Sequence, residues 1–222
     1  MLRRIVNLLW SPVLAFDGEI GKLHDVYFDE ATWTVRYLVV DDGVWSSGRK
    51  VLIAPRAVAS IDRNLHTVSV SLTLASLEAS HRIFISKPDA HSPIGHWARS
   101  VSWRNDPDSL PTDMHLCSVR RVLGYTMNAV DGRVGELKDF FCDDKSWILR
   151  YLIVETGNRL LGRRVLVNQD RVRCVDAPTE SVQVNQTLAQ VERGWEFDAD
   201  NPPPADVETA LRLGVGVHAV RH

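Results

Sequence analysis

The stretch Asp17–Val40, DGEIGKLHDVYFDEATWTVRYLVV, returns at Asp131–Val154 as DGRVGELKDFFCDDKSWILRYLIV. Adding 114 to any residue number from 17 to 78 gives its counterpart without a gap, and 24 of the 62 positions are identical. The identities include Gly18/Gly132, Gly21/Gly135, Trp33/Trp147, Arg36/Arg150 and Tyr37/Tyr151. Gapless agreement of that extent reads as an internal duplication. Two copies of so long a period make two similar domains in tandem rather than a solenoid.

Each copy reads as β-rich. In WTVRYLVV, period-2 alternation puts Trp33, Val35, Tyr37 and Val39 on one face, which is apolar throughout and expected to point to the core. Trp147, Leu149, Tyr151 and Ile153 repeat that face. GKLHDVYFD is the expected hairpin partner, with DEATW as the connection, and Asp29 and Asp143 suit the start of such a turn. Gly18 and Gly21 fit a tight turn or bulge. VLIAP, VASI and TVSVSL supply further short strands, and each copy ends on a short helical signal, TLASLEAS or TLAQVERG. Thr187 with Gln190 forms a capping-box pattern, whereas the first copy has Ser76 there and is expected to keep only its Thr cap.

The organisation expected is a first module over 1–80, a Pro-, His- and Ser-containing linker over 81–117, a second module over 118–194, and a tail over 195–222 with a short helix near ADVETALRLG. The 222 residues suffice for two small cores. Hydrophobic residues at 45%, charged residues at 24% and a net charge of -2 describe an ordinary soluble globular protein with no general attraction to nucleic acid. Cys117, Cys142 and Cys174 form no CxxC and read as small buried apolar groups in a reducing compartment. The opening MLRRIVNLLWSPVLAF is interrupted by Asn7, Ser11 and Pro12, too short an apolar run for a span, so a cytoplasmic location is expected.

The pattern DG.IG.L.D..FD......RYLVV, followed by a loop and RKVLIAP..V..ID, resembles the PRC-barrel domain family. The second copy is similar, as DG.VG.L.D.F.D......RYLIV and then RRVLVN...V..VD. The resemblance covers Ile5–Ser80 and Val119–Gly194. It implies a mostly β fold of two tandem small PRC-type β-barrels, each with a short terminal helix, joined by a long irregular linker. It also implies a fold used in a reaction-centre subunit and, as a protein-binding module, in a ribosome-maturation factor. The shared residues are folding residues, so the resemblance assigns no functional residue.

The polar residues common to both copies, Asp17, Asp25, Asp29, Arg36, Arg49, Asp62, Thr73 and Glu78 with their partners at +114, are expected to serve the fold. Asp25 with Arg36, and Asp139 with Arg150, are expected to form charge pairs across adjacent strands. Trp33 and Trp147 are expected in the core. No His, Cys or Ser recurs, so no duplicated nucleophile or metal site is expected. His91 and His96, near His81 and Asp89, lie on a proline-bearing loop that fixes no common face for a metal. GVWSSGRK lacks the spacing of a phosphate loop.

The copies differ most at Arg159, Arg163, Arg164, Arg171 and Arg173, which replace Trp45, Arg49, Lys50, Ala57 and Ala59. With Trp45, these arginines are the candidate partner-binding residues, although the second copy as a whole carries nine Lys/Arg against ten Asp/Glu. The expectation is a non-enzymatic adaptor or scaffold that needs no cofactor and binds protein partners through loops and sheet edges, with homodimerisation through open edges. The alternatives are an RNA-linked ribosome-assembly accessory protein using the arginine loop, and a small-ligand or metal-binding protein at the seam between barrels.

Overall fold

A computed structural model of the chain describes residues 1–41, 50–62, 65–79, 116–157 and 163–197. The chain divides into two compact units: an N-terminal unit, Ile5–Arg120, and a C-terminal unit of Met1–Arg4 with Arg121–His222.

The N-terminal unit holds β2 (Pro12–Ala15), β3 (Gly18–Asp29), β4 (Thr34–Asp41), β5 (Lys50–Ile53), β6 (Val58–Asp62), β7 (Thr67–Val70), the helix α1 (Leu74–Ala79), β8 (Leu116–Ser118) and the start of α2 (Val119–Val122). The C-terminal unit holds β1 (Leu2–Arg4), β9 (Thr126–Ala129), β10 (Gly132–Asp143), β11 (Leu149–Thr156), β12 (Arg163–Asn168), β13 (Val172–Asp176), β14 (Ser181–Val184) and α3 (Leu188–Glu192). The structure is mostly β, as expected. Its two seven-stranded sheets run β5-β4-β3-β2-β7-β6 and β12-β11-β10-β9-β14-β13, and neither strand path closes on itself. No helix among the described residues is long and apolar enough to cross a membrane.

Each sheet is organised by one long strand. β3 pairs with β4 along one side, while β2 covers the beginning of its other side and β8 covers Tyr27–Asp29. β10 is served the same way by β11, β9 and β1. The short strands are exchanged in sequence: Leu2 pairs with Asp143 in the C-terminal unit, and Leu116, 114 positions later, pairs with Asp29 in the N-terminal unit. The stretch read as linker therefore ends in a strand of the first sheet.

Both long strands carry a bulge at the same place, between Leu23 and Asp25 and between Leu137 and Asp139. The extra residues, His24 and Lys138, are turned aside, and the following aspartates become buried. Each of these aspartates accepts the next residue's amide N–H at 2.7 Å. Gly135 shows why glycine is needed beside such irregularities: a Cβ there would lie 1.9 Å from the Glu155 carbonyl oxygen.

The core departs from the simple alternation. Trp33 precedes β4 in the left-handed region, φ 55°, as does Trp147 at φ 55° before β11. Trp33 is buried and stacks on Phe28 at 5.3 Å between ring centroids, whereas Trp147 is only partly buried. Leu38 and Val40, expected to face away from the core, are as buried as Val35 and Val39. β4 and β11 are central strands covered on both faces. On β11, Tyr151 and Ile153 pack with Phe141, Leu166 and Phe197, while Leu152 and Val154 bury the opposite face. Each such side chain contributes about 1.5–3 kcal/mol. Phe197 reaches this cover because residues 195–197 extend along β12, with Glu196 bridging Val165.

Most of the shared polar residues are satisfied locally. Asp17 and Asp131 accept the first amides of α1 and α3, at Leu74 and Leu188. Asp29 and Asp143 accept amides two residues on, closing the hairpin turns. The Thr187–Gln190 capping box is present. Ser76 also completes a reciprocal cap with Thr73, at 3.1 Å in each direction, so the first copy keeps more than its Thr cap. Cys117 and Cys142 are buried as expected, but Cys174 is exposed on β13, the strand at the end of its sheet's path.

Candidate functional site around Trp10

The turn that leads into β2 is held by Ile5, fully buried, and Leu8. The Leu8 and Leu9 amides donate to the Ile5 carbonyl, and the Trp10 amide donates to Leu23 on β3 at 2.6 Å. These bonds fix Trp10 at φ 70°, with 53% of the residue exposed. The corresponding position in the C-terminal unit is Gly124, at φ 89°, whose amide donates to Leu137. Glycine adopts this conformation freely, whereas another residue is strained by about 1 kcal/mol or more. The N-terminal unit thus holds a large aromatic, half in solvent, where the backbone favours glycine.

Trp10 is flanked by polar groups from two elements. The β3 bulge presents His24, whose ring meets the indole edge-on at 5.3 Å. The guanidinium of Arg120, on α2, lies over the indole at 5.0 Å from its centroid, a cation–π geometry. It also approaches His24, 2.6 Å from Nε2 and 3.1 Å from Nδ1. A ring nitrogen can accept from a guanidinium only when unprotonated, so this contact requires a neutral imidazole. Burial, with the charges of Lys50 and Arg120, lowers the His24 pKa to about 4, and the ring is neutral near pH 7. Burial also lowers the pKa of Lys50 on β5, opposed by Asp41 and reinforced by Arg120.

Beneath the cluster lies Asp25. Its carboxylate accepts from the Ser118 hydroxyl, the Arg120 amide at 3.1 Å and the Val26 amide at 2.7 Å, and burial raises its pKa. It anchors the β8–α2 junction and so positions Arg120. Asp139 fills the same place in the C-terminal unit but is paired with Arg4 of β1, Nε to Oδ2 at 2.7 Å. Neither aspartate takes the cross-strand arginine expected for it. Arg36 instead pairs with Asp29 at 3.0 Å, because the bulge turns Asp25 inward toward β8.

The arginines singled out from the sequence are not gathered into one patch. Arg163 pairs with Glu196 at 3.0 Å and Arg164 with Glu155 at 3.4 Å, near the start of β12. Arg171 and Arg173 lie beyond the other end of that strand. Trp45, Arg159, His81, Asp89, His91 and His96 lie outside the described residues, as does the tail helix expected near residue 210. Among the described residues no three His, Cys, Asp or Glu side chains are grouped to hold a metal. The Trp10 cluster escaped the sequence reading because its members are 14 and 96 residues apart in His24–Trp10 and Arg120–His24. Comparing Trp10 with Gly124 at the offset of 114 is the signal that points to it.

No curated protein matches the chain. A family model does: residues 3–71, which include Trp10, His24 and Lys50, match the PRC-barrel domain.

Proposed function

We propose that the protein is a non-enzymatic adaptor, built of two PRC-barrel modules in tandem, that docks a protein segment on the Trp10 surface. The tandem reading is supported by the common strand order, the bulges at equivalent positions and the 114-residue offset that runs through both sheets. The docking reading is carried by one observation: an indole half in solvent, held at a backbone position where the other copy has glycine. Strain retained at one copy only is a signature of a functional position. Tryptophan and arginine dominate binding hot spots because they bury large, rigid surface beside a hydrogen-bonding group. Arg120 over the indole, and Lys50, whose charge acts on the neighbouring His24, suit a partner segment that carries carboxylates.

The RNA-linked alternative gains no support from Arg163 and Arg164, whose charges are matched by Glu196 and Glu155. A homodimer through the path-end strands β5 or β6 and a cytoplasmic location complete the proposal; the three free cysteines agree with a reducing compartment. The test is affinity capture from the native lysate, treated with ribonuclease, using wild-type protein and Trp10→Gly as paired baits. Glycine suits the backbone there, so the variant folds and lacks only the anchor. A stoichiometric protein captured by wild type and lost with Trp10→Gly supports the reading; a partner retained equally by both overturns it.

A further inference from the structure

Independently of the adaptor reading, we propose that the C-terminal unit binds a free α-amino acid in a pocket lined by Arg150, Tyr151, Asn168, Gln169 and Asp170. The pocket measures about 310 Å³, at the lower end of small-ligand sites. Two buried polar atoms on its lining residues have no hydrogen-bond partner among the described residues: Nε of Arg150 and Oε1 of Gln169. Gln169 is 9% exposed, and a buried acceptor left unmatched costs about 1–3 kcal/mol. Exchanging its amide oxygen and nitrogen would not remove the mismatch. Nε2 donates to the Asp170 carboxylate at 3.3 Å, and an oxygen placed there would face another acceptor.

The first copy differs in how its arginine is engaged. Nε of Arg36 is likewise without a partner, but its Nη2 pairs with Asp29 at 3.0 Å, whereas Asp143, the counterpart of Asp29, is engaged by the Met1 ammonium, the Ser146 hydroxyl and the Lys145 amide. Arg150 thus shows no equivalent of the Arg36–Asp29 contact among the described residues. The lining has changed with it: Ala54, Pro55 and Arg56 of the first copy are replaced by Asn168, Gln169 and Asp170. Pairing of Tyr151 with Asn168 brings residue 150 next to residue 169 across the strands. Asn168 Oδ1 holds the turn by accepting the Asp170 amide at 2.8 Å.

A cationic donor beside an unmatched acceptor and a carboxylate selects a ligand with the reverse pattern. A carboxylate would take the Arg150 guanidinium, and a neighbouring ammonium would donate to Gln169 Oε1 and the exposed Asp170 carboxylate. An α-amino acid carries both groups on one carbon. The side chain would lie along Tyr151.

The test is a titration of the ¹⁵N-labelled full chain with each of the twenty amino acids in turn, with acetate and methylammonium as controls. At least one amino acid is expected to shift the Arg150 Nε–H and Gln169 side-chain resonances saturably. Arg150→Gln and Gln169→Leu are each expected to weaken that binding at least tenfold. Gln169→Leu removes the unmatched acceptor and is expected to melt no lower than wild type, so its loss of binding cannot be ascribed to unfolding. Absence of any saturable shift, unchanged affinity in Gln169→Leu, or acetate binding as tightly as the best amino acid would each overturn the proposal.

Discussion

Replacing Arg4 by Met should destabilise the C-terminal unit far more than a change at residue 4 of the chain would suggest. Asp139 is 1% exposed and Arg4 22%, with Nε and Oδ2 2.7 Å apart. Removing one member of so buried a pair leaves a carboxylate in the interior without its countercharge, which costs about 3–5 kcal/mol in general. The Phe140 amide still donates to Asp139, and Met restores some of the apolar cover, so the lower end, about 3 kcal/mol, is expected. Loss of the guanidinium over Phe197, 5.1 Å from its centroid, adds at most about 1 kcal/mol. Native-state hydrogen exchange reads each unit separately. The core amides of β10 should lose protection by on the order of a hundredfold, since about 1.4 kcal/mol is tenfold, while those of β3 keep theirs. Combining Arg4→Met with Asp139→Asn should cost clearly less than the sum of the single changes. Equal loss in β3 and β10, or a loss below about 0.5 kcal/mol, would refute the reasoning, since it would make the pair no better than a surface one.

Burial holds the Asp25 pKa above the ordinary carboxylate range, so the folded N-terminal unit keeps a proton that the unfolded chain releases. Its stability should fall as pH rises from the unfolded value of about 3.9 to the raised one and then level off. Asp25→Asn minus wild type, measured by urea denaturation, should therefore grow with pH over that window; a pH-independent difference would contradict it. His24 should titrate by NMR at about 4, with stability lost as pH falls from its unfolded value of about 6.5; a midpoint near 6.5 would dissolve the Arg120 contact. Brief alkylation of native protein should label Cys174 and spare Cys117 and Cys142, as peptide mapping would establish; equal labelling would show that the two buried thiols are accessible.

The repeat made much of the architecture legible, because hairpin chemistry is local. The β3–β4 and β10–β11 hairpins, their Asx turns and the terminal helices fall where alternation and capping residues put them. Alternation failed at Trp33 and Trp147, since a left-handed residue at the hairpin end breaks the period before the strand begins. It failed again at Leu38 and Val40, because burial on both faces of a central strand leaves no polar face to read. The aspartates were recognisable as folding residues, but their partners were not. Ser118 lies 93 positions from Asp25, and Arg4 lies 135 from Asp139; no local pattern encodes an exchanged strand. The Trp10 surface depends on the same exchange, for Arg120 arrives with β8 and α2. The Arg150 pocket was hidden because Arg36 and Arg150 look equivalent in sequence and differ only in what their neighbours already hold.

The most direct test of the docking surface is in-cell photocrosslinking from residue 10, with a benzoyl-phenylalanine replacing Trp10 and, as a control, Phe16, which is 77% exposed. A discrete protein adduct from position 10, absent from position 16, is the expected result. No adduct at position 10, or the same adduct from both positions, would contradict the assignment of Trp10 as the anchor.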